Sequence, residues 1–149
     1  MHLRWRFLGL VILGGTVGTG LREGLGLALP PVDLAGARWP LTTLGINLLG
    51  AVLLGLLLEA LVRRGPDAGG RRAVRLVLGT GLLGGFTTYS ALATDSALLL
   101  QSGDTAVALA YALGTVVLGA LATWLGIVIG AALHRRMLGR QASAAGETA

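Results

Sequence analysis

The chain contains no cysteine and no lysine, and only 2 of its 149 residues are histidine. Without cysteine there are no disulfides, no thiol catalysis and no cysteine-bound zinc. Both histidines, His2 and His134, stand outside the apolar stretches, which argues against a haem or histidine-bound metal centre within them. Charge is scarce as well: 13% of residues carry it, against 54% that are hydrophobic, and the mean hydropathy is +0.76. A soluble domain of this length does not need so much apolar material to fill a core, so the composition is that of an integral membrane protein. Glycine is abundant, at 25 residues, as suits closely packed membrane helices whose backbones approach one another. The net charge of +5 raises the question of nucleic acid. Every positive charge is an arginine, however, and most flank apolar spans, which points to membrane anchoring and to no nucleic-acid partner.

Four apolar segments, at about 7–29, 41–62, 74–100 and 105–133, each approach the roughly 20 residues needed to cross a hydrocarbon core of about 30 Å. The expected fold is all-α and membrane-embedded, with four transmembrane helices in one domain over residues 1–140 and a small polar tail at 141–149 expected to be disordered. The first segment follows Arg4 and Arg6 like a signal peptide, yet runs on through Gly14 to Gly26 without a small-x-small cleavage site. Connections are short and rich in proline, glycine and aspartate. Small-xxx-small spacings at Gly14/Gly18, Gly20/Gly24, Gly81/Gly85 and Gly126/Gly130 offer flat faces for packing. Trp5 and Trp39 read as interfacial belt residues, and Trp124 as packing within the fourth span. Four spans enclose little by themselves, so the working unit is expected to be an oligomer.

The third segment reads TGLLGGFTTYS over residues 80–90. Paired glycines followed by paired threonines favour an unwound backbone, and inside a membrane that is tolerated only where protein or a wet cavity satisfies it. A helix broken near its middle is therefore predicted, and with it an ion site. Polar residues recur at comparable depth in other spans. Asn47 shares a helical face with Thr43 and Gly50, while Thr115, Gly119 and Thr123 repeat every four residues. The ordinary roles of such residues are a helix–helix bond for the asparagine and bonds to the i−4 carbonyl for the threonines. With Thr87, Thr88, Tyr89 and Ser90, however, they give three spans hydroxyl and amide donors without charge. A proton-coupled carrier would want carboxylates or histidine at depth, and a cation pore would want acidic rings. Here Glu23, Glu59, Asp95 and Asp104 lie near span ends, which favours a passive route for a small anion. Arg22, beside Glu23, is open to two readings, snorkelling to the interface or serving the site. The glycine run at 14–20 lies inside a span instead of following a strand, so it does not read as a phosphate loop, and no enzyme is expected.

With GGTVGTGLR at 14–22, TLGINLLG at 43–50, GLLGGFTTYS at 81–90 and YALGT at 111–115, the chain resembles the Fluc (CrcB) family of fluoride channels over nearly its whole length. The resemblance implies a dimer of oppositely inserted subunits, two fluoride pathways, and a structural, untransported sodium ion (Na+) on the two-fold axis. That ion would be held by main-chain oxygens at Gly84 and Thr87. It implies an anion pathway along Arg22, Thr43, Asn47, Thr88, Tyr89, Ser90, Leu92 and Thr115. The family usually has phenylalanine where this chain has Tyr89 and Leu92, a polar residue at Gly119 and glutamate at Asp95. The activity implied is passive export of fluoride across the cell membrane. Alternatives are a four-span small-molecule exporter and a purely structural membrane protein.

Arg4, Arg6, Arg63, Arg64, Arg71, Arg72, Arg75, Arg135, Arg136 and Arg140 all fall on one expected side, against Arg22 and Arg38 on the other. Such a bias predicts one fixed orientation with both termini cytoplasmic. A chain fixed in this way cannot supply its own inverted partner, so a heterodimer with a separately encoded homologue is expected, with pairing to its own inverted copy as the alternative.

Overall fold

The computed structural model describes residues 5–29, 31–34 and 37–146; residues 1–4, 30, 35–36 and 147–149, and with them His2, Arg4, Pro30 and part of the polar tail, lie outside the described residues. The described chain is almost entirely helical. Helix α1 spans Trp5–Ala28, α2 Leu41–Val62 and α3 Gly69–Val74. A π-helical segment, Arg75–Leu83, runs on from α3 into a single turn α4, Gly84–Phe86, followed by α5, Tyr89–Gln101, and α6, Thr105–Gly146. Between α1 and α2 two short antiparallel strands, β1 (Val32–Leu34) and β2 (Ala37–Trp39), pair with Asp33 opposite Arg38. This hairpin departs from the expected all-α connection. Its alternating Val-Asp-Leu and Ala-Arg-Trp segments suit a short ribbon at a membrane surface, which the flanking prolines obscure in the sequence.

Three stretches are long and apolar enough to cross a membrane among the described residues: Leu41–Val62, the helical run Gly69–Gln101 and Thr105–Arg140. Helix α1 is 24 residues long, which is ample, but its glycines, threonines and the Arg22–Glu23 pair dilute its apolarity. Where a disordered tail is expected, α6 continues through 141–146, a segment whose alanines favour helix.

Helix α1 packs on the third helical run and α2 on α6, with α5 also against α6. Glycine is what lets these pairs close. A Cβ on Gly14 or Gly18 would strike the backbone of the π-segment at Val77 or Leu82, and one on Gly126 would strike the Val52 carbonyl of α2. Gly81 and Gly85 answer Gly14 and Gly15 from the other side, and Gly130 packs against Glu59. Gly20 and Gly24, with the same spacing, have nothing near them and form no packing face within the subunit. Leu92, Leu99, Ala108 and Tyr111 form the buried cluster, flanked by Leu44 and Val107. Most other large apolar side chains face outward, as they do where lipid or a second subunit takes the place of water. Trp124 belongs to that outward set at 63% exposure, so the packing role expected of it is not found within this subunit.

Candidate functional site at the helix break

The third helical run does break, two residues beyond the paired glycines. Gly84 and Gly85 stay helical in α4, and the threonines leave the helix: Thr87 at φ −76°, ψ 154° and Thr88 at φ −148°, ψ 122°. Extended geometry suits β-branched threonine, and Thr88 then caps α5 by accepting the Ala91 amide on Oγ1 at 3.1 Å. The π-helical segment ahead of the break has no counterpart in the sequence pattern. Stretches of this kind are frequent at functional sites.

A break strands backbone groups, and the neighbouring helices take most of them up. The Thr88 amide, which an unbroken helix would give to Gly84, donates instead to Asn47 Oδ1 at 2.8 Å. Asn47 Nδ2 in turn donates to the Thr88 carbonyl at 3.0 Å. The Gly85 carbonyl accepts from Arg22 Nε at 3.4 Å and from the Thr19 hydroxyl at 3.5 Å. The Thr87 carbonyl has no hydrogen-bond donor among the described residues, and Gly84 has lost its i+4 donor to Asn47. Three residues beyond Asn47, the Thr87 methyl fills the space where a Cβ on Gly50 would stand. The Asn-Leu-x-Gly element of α2 is thus the template on which the paired threonines lie.

Arg22 reaches the break, its side chain 24% exposed, while bridging Glu23 at 3.1 Å. With Thr43 and Thr88 it lines a cavity of about 140 Å³, whose wall also includes Thr42, Ile46, Ala91 and Asp95. At roughly 30 Å³ per water, that volume holds only a few waters, or a small ion with part of its shell. Drug-sized ligands need about 300–1,000 Å³. Asp95 and Pro31 also line an adjoining cavity of about 410 Å³ reaching Leu98 and Ser102.

The remaining pathway residues of the sequence analysis fall elsewhere. Thr88 Oγ1 and Ser90 Oγ lie 3.1 Å apart at the start of α5, with Ser90 exposed. Tyr89 is 82% exposed beside them, whereas Leu92 is 8% exposed and belongs to the apolar cluster. Thr115, 6% exposed, donates its hydroxyl to the Tyr111 carbonyl at 2.7 Å, and Thr123 does the same to Gly119 at 3.0 Å. A hydroxyl so engaged offers its lone pairs, not its proton, to anything passing. Asn47 is similarly committed: one N–H and its oxygen hold Thr88, and one N–H remains for another acceptor. Sequence reasoning missed the link from the Tyr111 hydroxyl to Asp95 Oδ2 at 3.3 Å. Its signal was available, because a phenol deep in a membrane span needs a partner.

A family model described as CrcB-like protein, Camphor Resistance (CrcB), matches residues 9–127, the stretch that holds Arg22, Asn47 and the break. The chain belongs to this family. Among its CrcB-like relatives are "Fluoride-specific ion channel FluC 2" of Leifsonia xyli subsp. xyli, 46% identical over 91% of this chain and 91% of that protein, and "Fluoride-specific ion channel FluC 1" of Cutibacterium acnes, 48% identical over 91% and 90%. A "Fluoride-specific ion channel FluC" of Thermus thermophilus is 44% identical over 83% of this chain and 93% of its own. This CrcB-like chain is a multi-pass helical membrane protein, and these relatives are named as channels, not enzymes.

Proposed function

We propose that the chain is one subunit of a fluoride-selective channel in the cell membrane, exporting the anion passively and thereby relieving its toxicity. The observation that carries this reading is the helix break held by Asn47, opening onto a small cavity lined by Arg22, Thr43 and Thr88, in a chain whose relatives are named fluoride-specific channels. Arg22 attracts an anion to the cavity, where the hydroxyls of Thr43 and Thr88 replace part of its water; Ser90, beside Thr88, and the spare amide N–H of Asn47 extend the route beyond it, and Tyr89 lies on its exposed flank. A negative cell interior drives the anion outward by about 2.3 kcal/mol per charge for each 100 mV.

In this reading α1 also crosses the membrane, which makes four spans, and the working unit is a dimer of oppositely inserted subunits. The carbonyls of Gly84 and Thr87 suit a structural sodium ion at the axis, because hard cations take oxygen ligands and these oxygens are left over at the break. Such an ion supplies positive charge that neutralises stranded carbonyls and ties two subunits together. The excess of arginine on one expected side of the spans favours a single orientation with both termini cytoplasmic, and hence an inverted partner encoded separately.

Efflux from reconstituted liposomes, read with a fluoride electrode and with chloride as the control ion, tests the channel. Fluoride release without chloride release supports it. Release of neither from vesicles holding the chain with its candidate partner would return the polar residues to helix adhesion.

A further inference from the structure

Both of Asn47's hydrogen bonds to the break fall on one residue, Thr88, and the geometry of the peptide group carries that grip beyond it. Every peptide bond described is trans, so within each peptide plane the carbonyl and the following N–H point in opposite directions. The Thr88 amide is drawn to Asn47 Oδ1, and the Thr87 carbonyl of the same plane therefore points away from Asn47. The Thr88 carbonyl is drawn to Asn47 Nδ2, and the Tyr89 amide of that next plane points away too. A single carboxamide thus fixes two consecutive peptide planes just beyond the last helical bond of the run, from the Thr87 amide to the Leu83 carbonyl at 2.9 Å. Gly50 secures the same segment by admitting the Thr87 methyl, and Thr87 Oγ1 anchors its near end on the Leu83 carbonyl at 2.8 Å.

We infer that Asn47 is a positioning residue for a cation held by the Thr87 carbonyl, so that the residue beside the anion route also sets the strength of the structural ion. This rests on the reading of Gly84 and Thr87 as cation ligands. The same diversion of the Thr88 amide releases Gly84 from its helical donor, so Asn47 acts on both oxygens at once: it frees one and aims the other. The arrangement couples the two ions without any contact between them, since loss of the carboxamide lets the Thr87–Thr88 plane rotate and leaves the Thr88 amide without a fixed acceptor.

Two readouts on the purified, assembled channel separate the parts of this inference. Amide hydrogen exchange over residues 84–91 reports the clamp, and the sodium concentration that gives half-maximal thermal stabilisation, with N-methylglucamine as the replacing cation, reports the ion. Asn47→Ala is expected to speed exchange of the Thr88 amide and raise the sodium midpoint by about tenfold each, the loss of a partly buried hydrogen-bonded pair. Asn47→Asp keeps an oxygen for the Thr88 amide but loses the Nδ2 donor, and is expected to protect that amide while still weakening sodium; it also serves should the alanine variant not assemble. Thr43→Ala, on the same face but outside the clamp, is expected to lower fluoride flux and leave the sodium midpoint in place. Unchanged exchange in Asn47→Ala would overturn the clamp. Faster exchange with an unmoved sodium midpoint would overturn the coupling, and a wild-type channel indifferent to sodium would overturn the cation reading beneath it while the exchange result still decides the clamp.

Discussion

Tyr111 of α6 donates its hydroxyl to Asp95 Oδ2 of α5 at 3.3 Å, the one side-chain bond among the described residues that ties the half-helix after the break to the last helix. The ring itself is buried against Leu92, Leu99 and Ala108. The two contributions separate by substitution. Tyr111→Phe keeps the packing and loses the bond, and is expected to cost about 1 kcal/mol of stability. Tyr111→Ala also opens a cavity and is expected to cost about 3–5 kcal/mol. Thermal unfolding in detergent distinguishes them, and equal losses for the two variants would show that the ring contributes nothing beyond its hydroxyl.

The glycine seams give a second contrast. Gly126 faces the Val52 carbonyl and Gly55 faces the Thr123 carbonyl, so that each helix of the α2–α6 pair presses a bare α-carbon onto the backbone of the other. Gly126→Ala is expected to force the helices apart at roughly 1–3 kcal/mol. Gly20→Ala and Gly24→Ala meet nothing within 4 Å and are expected to be neutral or slightly stabilising, since alanine is the better helix former. Yield of assembled protein and melting temperature check both. A destabilised Gly24→Ala would place that face against a second subunit.

These seams also show how far the sequence can be read. Gly14/Gly18 and Gly20/Gly24 share one spacing on one helix, yet only the first pair meets a neighbour, because spacing gives the face and tertiary packing decides which face is used. Helix α2 begins after Pro40 and ends at Arg63-Arg64-Gly65, punctuation that made its bounds legible. The break was legible from composition, but its position on the threonines and not the glycines was not. That position is set by Asn47, 41 residues away, and a pairing so distant leaves no local trace. Arg22, Thr43 and Thr88 line one cavity, while Leu92 sits in the apolar cluster and Thr115 bonds its own helix, placements that residue type alone does not give.

Hydroxyls with different bonding should respond differently. Thr115 gives its proton to its own helix, so Thr115→Val, nearly the same shape, is expected to change fluoride flux by less than about threefold and to leave the fold intact. Thr88 lines the cavity and caps α5, so Thr88→Val is expected to cost about 1 kcal/mol through the lost cap and to lower flux by roughly tenfold or more. Paired liposome efflux measurements decide the matter. A collapse of flux in Thr115→Val with unchanged stability would mean that its hydroxyl rotates away from Tyr111 to meet the ion.

Insertion offers the last test, and the structure sharpens what is being counted. Asp67 accepts from Arg75 at 2.8 Å and lies 3.6 Å from Arg72, while Glu59 holds Arg63 at 2.5 Å. Hydrogen bonding to Arg75, with the charges of Arg75 and Arg72 beside it, lowers the Asp67 carboxyl below its ordinary value. These Asp67 pairings are therefore complete at neutral pH and are lost only as pH falls through that lowered value. If net charge governed orientation, such pairing would erode the bias. Insertion responds to arginine and lysine and little to carboxylates, so the bias stands and a C-terminal topology reporter is expected to signal from the cytoplasm alone. Replacing Arg63, Arg64, Arg71 and Arg72 together by glutamine is expected to yield both orientations and, with them, fluoride flux from this chain by itself. Equal reporter signal on both sides for the unaltered chain would instead mean that it already pairs with its own inverted copy.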